Sequence, residues 1–542
     1  MDIMINPLQQ KKYEEQGLWS DQTLLDYWNL AVSRYADKEY IVDDLGKRLT
    51  YRAVDEKADI LAAYMTDQGI GTGDMVTLQC TPRSEFILIC IACFKIGAIV
   101  VPIKMRTGAA EWISLMNRIG SRMHFAVHKY HGDDICDFIN KYKNEVRKNV
   151  TYIYIGGERH GEEEKQFEDI LKGKKTALKK PECNANEIAV ILFTSGTTKG
   201  SKGVLLTHNN VISSEKIFNE CLHLTSEDIM FMPAPLSHAT GFHHGVIAAM
   251  LAGGKLVLME QYNAAGALDI MDEEHCTFSM GATPFIFDYL KHMDLGHKKP
   301  SSLQFYVCGG APVSYELTRS AWENHHLLVC ECYGSTESVP HVLVPPERAM
   351  ELKGKWSGKT MGAIEIRVVD EKGNDVPPGT VGEEISRGPN VFVGYLDDPD
   401  STKEALDEDG WFHSGDLCYG NEEGYIKISG RKKDIIVRGG ENLNINEIEE
   451  SMLGCPGVYK TGVVGMRDAR LGERVCAFVI NDNSGIVPTV SSIGKYLASK
   501  KVSKWLWPEH IEFIDRLPYT DSGKLKRYEL VKELERRLKG KE

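Results

Sequence analysis

Short apolar runs recur along the chain between polar segments, and several of them end abruptly in glycine, hydroxyl groups and charge. The run Ile188–Phe193 (IAVILF) is apolar throughout and predicts a buried strand. Between residues 24 and about 104, helix-period patterns alternate with β-branched runs such as 75–78 (MVTL) and 98–101 (AIVV), which predicts layered α/β architecture. The alternation continues through a strand-like run at 255–258, a helical pattern over 284–292 and another strand-like run at 305–308, just before Gly309 and Gly310.

Downstream the pattern changes. Turn-rich, strand-like segments between about 358 and 428 predict a small β subdomain. The charged stretch Gly430-Arg431-Lys432-Lys433-Asp434 leads into a fresh apolar run, so an amino-terminal domain is expected over 1–430 and a carboxy-terminal one over 431–542. Residues 530–542 read as a charged helix presenting a solvated face. No fixed-period repeat interrupts this order.

A chain of 542 residues, 42% apolar, is long enough for two or more cores. Sixty-four basic against 77 acidic residues leave a net charge of −13, which argues against binding nucleic acid through its phosphates. The first residues lack a basic segment followed by an apolar core, and the most apolar stretch, 86–101, is broken by Lys95 and Gly97. Neither a secretory signal nor a transmembrane span is expected, and a cytoplasmic enzyme is. Thirteen cysteines, an odd number, suit a reducing compartment. Cys90 with Cys93, and Cys330 with Cys332, lack the second pair a zinc site needs and read as buried thiols.

Candidate chemistry begins where the run Ile188–Phe193 ends. Residues 194–203 hold five hydroxyls (Thr194, Ser195, Thr197, Thr198, Ser201), three glycines, and the lysines Lys199 and Lys202. Glycine lets backbone N–H groups approach an anion, hydroxyls donate to phosphate oxygens, and lysines offset the charge. The segment reads as a phosphate cradle, although no G-x-x-x-x-G-K-[ST] loop fits it. Three more segments follow: Tyr333-Gly334-Ser335-Thr336-Glu337-Ser338, then Ser414-Gly415-Asp416 with Gly430-Arg431, then 518–524, ending in Gly523-Lys524.

In this order the set resembles the adenylate-forming superfamily of acyl-CoA synthetases, luciferases and amino-acid-activating domains, from about residue 49 to Lys524. Residues 232–236, 281–284 and 387–392 are most similar to bacterial short- and medium-chain fatty acyl-CoA synthetases. The resemblance implies a large α/β region with a β subdomain and a small mobile α+β carboxy-terminal domain. Residues 194–202 would hold the ATP phosphates. The backbone of Gly309, Gly310 and Ala311, with Tyr333 and Gly334, would flank the adenine, and Thr336 would touch the α-phosphate. Glu337 would bind Mg2+, while Asp416, supported by Arg431, would accept from the ribose hydroxyls.

The implied reaction has two steps, acyl-adenylate formation with release of pyrophosphate and thioester formation with coenzyme A. Lys524 would bridge the carboxylate and the α-phosphate. Lys433 would be the hinge of a swinging carboxy-terminal domain, with Gly439, Gly440 and Glu441 along the pantetheine channel. His238 stands near where amino-acid-activating relatives carry an aspartate, so an amino acid is a poor substrate, and His238 is expected to gate the acyl tunnel. Met280, Gly281, Ala282, Val339 and Pro340 would line an apolar pocket for an aliphatic acid, of unread chain length.

Two departures stand out. Lys199 and Ser201 replace the family's usual glycine and proline, and Ile445 replaces a common proline. Alternative readings are a ligase for an aromatic, alicyclic, bile or carnitine-like acid, a luciferase-like oxygenase, and an adenylate-binding protein. The expected partners are ATP, coenzyme A and a small carboxylic acid, with a homo-oligomer left open.

Overall fold

The computed structural model describes residues 3–539 except 148, 160, 162, 163, 177, 195–200, 311, 312, 433, 439, 440, 469, 521 and 522. Two large sheets dominate the amino-terminal region. The seven-stranded sheet runs through Gly203–Thr207, Ile188–Phe193, Ile99–Pro102, Met75–Gln79, Met123–Val127, Thr151–Ile155 and Lys165–Gln166, parallel except for the hairpin at the first edge. The nine-stranded sheet has a parallel centre of Glu39–Asp43, Lys255–Leu258, Ile229–Met232, Phe278–Gly281, Phe305–Gly309 and Leu328–Tyr333, with antiparallel strands at both margins. The predicted strands at 75–78, 98–101, 188–193, 255–258 and 305–308 all lie in these sheets, and the predicted helix at 284–292 is Thr283–Asp294.

The long apolar stretch is not one element. Ser84–Ile96 is a helix buried on every side, as its unbroken apolar composition requires. It touches Glu39–Asp43 of one sheet and Ile99–Pro102 of the other. Gly97, at φ +70°, ends it in the left-handed region, and the chain enters Ile99–Pro102. Lys95, the charge inside the run, donates to Asp55 at 2.5 Å and pairs with Asp59 at 2.6 Å. Cys90 and Cys93 are buried in the same helix, and all thirteen cysteines are free thiols. No helix among the described residues is long and apolar enough to cross a membrane.

Beyond these sheets, Glu365–Val369, Gly382–Arg387, Phe412–Gly420 and Ile426–Arg431 form a four-stranded antiparallel sheet. A five-stranded sheet built on Ile435–Arg438, Glu441–Asn444, Val458–Asp468, Gly472–Asn481 and His510–Phe513 follows. The last helix, Arg527–Lys539, turns the expected charged face to solvent and has an apolar face as well. It buries Leu530 and Leu534 against Val464, Cys476, Phe478 and Leu517, because its leucines recur at helical spacing among the charges.

Candidate active site at the strand ends

Register brings the candidate residues together. In the nine-stranded sheet Phe231 pairs with Ser279, Gly281 with Cys308, and Gly309 with Cys332, so the carboxyl ends of Ile229–Met232, Phe278–Gly281, Phe305–Gly309 and Leu328–Tyr333 share one edge. Open parallel sheets bind ligands at that edge. From it project Gly281 and Ala282, Gly309 and Gly310, and Tyr333 to Glu337.

Asp416 is buried and is gripped from two sides. Arg431 Nε donates to its Oδ1 at 2.9 Å, and Tyr333 Oη donates to its Oδ2 at 2.7 Å. The Asp416–Arg431 pair is fixed by strand register, as the two residues face each other across neighbouring strands. Asp416 holds the Arg431 guanidinium above its ordinary value, and burial followed by Asp416 raises the Tyr333 phenol well above its own. Tyr333 meets the ring of buried His341 edge-on at 4.8 Å. Burial alone would lower the His341 imidazole, but the Glu384 carboxylate outweighs it and raises it.

The turn Gly334–Ser338 is closed by Ser335 N to the Ser338 carbonyl at 3.2 Å, leaving Thr336 half-buried near its tip. Glu337 accepts from Tyr395 Oη at 2.8 Å, and the Tyr395 ring lies under Lys202 Nζ at 4.5 Å. Through Tyr395, Lys202 of the candidate phosphate loop and Glu337, the candidate metal carboxylate, thus become neighbours. Thr194 N donates to the Lys202 carbonyl at 3.0 Å, closing the base of that loop. Ser195, Gly196, Thr197, Thr198 and Lys199 lie outside the described residues, as do Ala311, Lys433, Gly439 and Gly440; for Glu441 only the backbone is described.

Lys524 reaches this cluster from the carboxy-terminal domain. Its turn is closed by Thr520 N to the Lys524 carbonyl at 2.8 Å, and its Cε sits where a Cβ on Gly310 would be 3.8 Å away. Gly310 has φ +79°, so a side chain there would be strained as well as crowding the lysine. Burial and then Arg431 lower the Lys524 ammonium, while Asp416 and Glu337 pull it back up. Lys104, near enough to push it down further, is a group the sequence reading missed. The domain rests on helix Thr283–Asp294: a Cβ on Gly523 would lie 3.2 Å from Ala282 Cβ, and the Phe287 and Tyr459 rings are 6.0 Å apart.

Among the candidate acid-pocket residues Met280, Ala282 and Val339 are buried, and so is Pro340. Gly281 is packed so tightly that a Cβ would come within 2.7 Å of Tyr306 Oη and 2.9 Å of Phe285. His238 is half-buried, and burial, then Lys524 and Lys104, push its imidazole down to about 3. Behind the lining lies a feature the sequence reading missed. The single hydroxyl proton of Ser214 lies between two acceptors, the Val339 carbonyl and, at 2.7 Å, fully buried Glu215, whose other oxygen is 2.9 Å from His244 Nδ1. Burial would raise the Glu215 carboxyl, yet His244 and His243 outweigh it and hold it at about 2. Both histidines belong to a π-helical segment, Thr240–Ile247, a rare conformation that periodicity cannot announce.

Elsewhere, His128, Cys136 and Glu164 place ligand-type atoms within 4.8 Å of one another toward the opposite edge of the seven-stranded sheet. His128 Nε2 is 2.6 Å from Glu164, Gln166 Nε2 donates to Glu164 at 2.5 Å, and Asn140 Nδ2 donates to the Cys136 sulfur at 3.4 Å.

Comparison with known proteins matches residues 28–396 to a family described as AMP-binding enzyme, and residues 447–524 to the AMP-binding enzyme C-terminal domain. The chain is 38% identical over 536 residues to the medium-chain fatty-acid–CoA ligase of Escherichia coli strain K12, covering 99% of this chain and 94% of that protein. ATP-bound MatB from Rhodopseudomonas palustris superposes with a TM-score of 0.84 at 25% identity, over 94% of this chain and 98% of that one. MatB without ligand gives 0.74. The anthranilate CoA ligase AuaEII, crystallised with anthranoyl-AMP, shares the fold at a TM-score of 0.88 and 21% identity, over 96% and 99% of the two chains.

Proposed function

The chain belongs to the AMP-binding enzyme family, and from that premise we propose that it converts short- or medium-chain fatty acids to acyl-CoA. It is an ATP-dependent, AMP-forming acid–thiol ligase. The observation that most supports our site assignment is the approach of Lys524, out of the carboxy-terminal domain, to Gly310, where Arg431, Asp416 and Glu337 all act on its charge. The better match to ATP-bound than to ligand-free MatB supports the same domain arrangement.

In the first half-reaction a carboxylate oxygen attacks the α-phosphorus of ATP and pyrophosphate leaves. Lys524, lowered by burial and then by Arg431 but pulled back up by Asp416 and Glu337, would as an ammonium reduce the repulsion between the two anions. Asp416 keeps lone pairs for the ribose hydroxyls while Tyr333 and Arg431 fix its orientation. Glu337 suits Mg2+: the donor is a carboxylate, one oxygen is oriented by Tyr395, and the other can face the phosphates. When bound, that ion supplies neutralisation of phosphate charge.

In the second half-reaction the coenzyme A sulfur attacks the acyl carbon and AMP leaves. We assign the domain division to residue 431, the swing to Lys433, and the pantetheine channel to Gly439, Gly440 and Glu441, on their motifs alone. Thirteen free thiols favour a cytoplasmic site of action. A panel of straight-chain, aromatic, alicyclic and carnitine-like acids, assayed for pyrophosphate release with and without coenzyme A, tests the reading. Turnover is expected to be highest with straight-chain acids of short and medium length. A chain that makes no AMP from any of them overturns it.

A further inference from the structure

The end of the phosphate loop is held by a helix that no motif marks. Strand Gly203–Thr207 lies between Ile188–Phe193 on one side and residues 393–396 on the other. On the latter side Leu396 N donates to the Gly203 carbonyl at 2.7 Å, and Leu205 N to the Gly394 carbonyl at 2.9 Å. At the end of this ladder two carbonyls, of Ser201 and Leu396, point outward. Arg118, on helix Ala109–Ile119, takes both: Nη1 donates to Ser201 O at 3.0 Å, and Nη2 donates to Leu396 O. Two turns earlier on the same face, Glu111 accepts from Ser201 Oγ at 3.1 Å.

The residues beside those two carbonyls matter most. Lys202 follows Ser201 and Tyr395 precedes Leu396, and Lys202 Nζ lies 4.5 Å from the Tyr395 ring, whose hydroxyl donates to Glu337 at 2.8 Å. A planar guanidinium with two donors can fix two acceptors at a set separation, which a lysine ammonium cannot do as rigidly.

We propose that Arg118, seconded by Glu111, is a positioning residue for ATP. By tying Ser201 to Leu396 it orders the exit of the phosphate loop and holds Lys202 in register with the Tyr395–Glu337 pair. The backbone freedom that Ser201 and Lys202 would otherwise lose on binding is thereby removed beforehand. The proposal rests on the reading of residues 194–202 as the ATP-phosphate loop, and acts through Lys202 without touching the reacting atoms.

The test is a comparison of Arg118→Met, Arg118→Lys and Glu111→Gln with the parent enzyme, following pyrophosphate release with ATP varied at saturating acid and the reverse. Arg118→Met, which removes both charge-assisted donations, is expected to raise KM for ATP about tenfold. KM for the acid should stay within about twofold. Arg118→Lys should fall between Met and the parent, and Glu111→Gln should raise KM for ATP about threefold. An unchanged KM for ATP in Arg118→Met overturns the proposal. So does a parallel rise in both KM values with a lowered unfolding temperature. Should the Met variant fail to fold, full ATP affinity in Arg118→Lys overturns it instead. If the parent is inactive with every acid, the functional reading fails by itself, and ATP dissociation constants of parent and Arg118→Lys, measured by calorimetry, still decide the clasp.

Discussion

The proposed nucleotide side and the proposed acid side of the site are built by opposite means. The nucleotide side is a chain of polar contacts between turn residues: Arg431 and Tyr333 on Asp416, Tyr395 on Glu337, Lys202 over Tyr395. The acid side is a close-packed apolar surface in which Gly281 leaves no room for a methyl group, backed by the buried Glu215–His244 pair. The first is a set of paired charges and hydroxyls, and the second is an apolar packing with a buried charge, Glu215, behind Val339. Lys524, from a third body, is where they join.

The largest effect should come from breaking the junction. Lys524→Ala is expected to lower acyl-adenylate formation about a thousandfold while sparing thioester formation from supplied acyl-adenylate, and equal loss in both steps would remove the lysine from its assigned place. Next comes the nucleotide side. Asp416→Ala deletes an acceptor held by two donors and leaves Arg431 without its carboxylate, so KM for ATP should rise about tenfold to a hundredfold with little change for the acid. A matching rise for the acid would show that the two sides are not separable.

On the proposed acid side Gly281→Ala should lower the thermal midpoint by a few degrees and reduce kcat/KM for every acid tested, because the added methyl meets Tyr306 Oη at 2.7 Å and Phe285 at 2.9 Å; an unchanged midpoint would show that these neighbours yield. The smallest effect is expected from the charge behind the lining. Glu215 is held at about 2 against an ordinary 4.5, so the folded state binds fewer protons there than the unfolded chain. Its stabilisation is complete above pH 4.5 and is lost as pH falls through about 2. Thermal midpoints followed over that range should drop more steeply for the parent than for Glu215→Gln; parallel curves would mean the carboxylate contributes nothing to holding the acid side.

How much of this was legible in the sequence follows the same division. The strand Ile188–Phe193 and the turn after Leu328–Tyr333 could be read because an apolar run stopping at glycine and hydroxyls is a local signal. Asp416 and Arg431 could be named from their turns, but that they bond each other follows from strand register, which residue order does not state. Tyr395, Lys104 and Arg118 were missed because each acts on a neighbour far away in sequence. Residues 86–101 show the limit within a single run: apolarity marked burial, yet only Gly97 and the position between two sheets made it a helix followed by a strand.

The sequence by itself determined the alternation of helices and strands, the polar turns that bear the candidate chemistry, and the separate core of the final domain, because each depends on residues close together along the chain. The tertiary structure alone decided that Lys524 meets Gly310, that Arg118 ties Ser201 to Leu396, and that a buried carboxylate stands behind Val339. Those contacts join residues scores of positions apart, and only the packing of the sheets and domains brings them within reach.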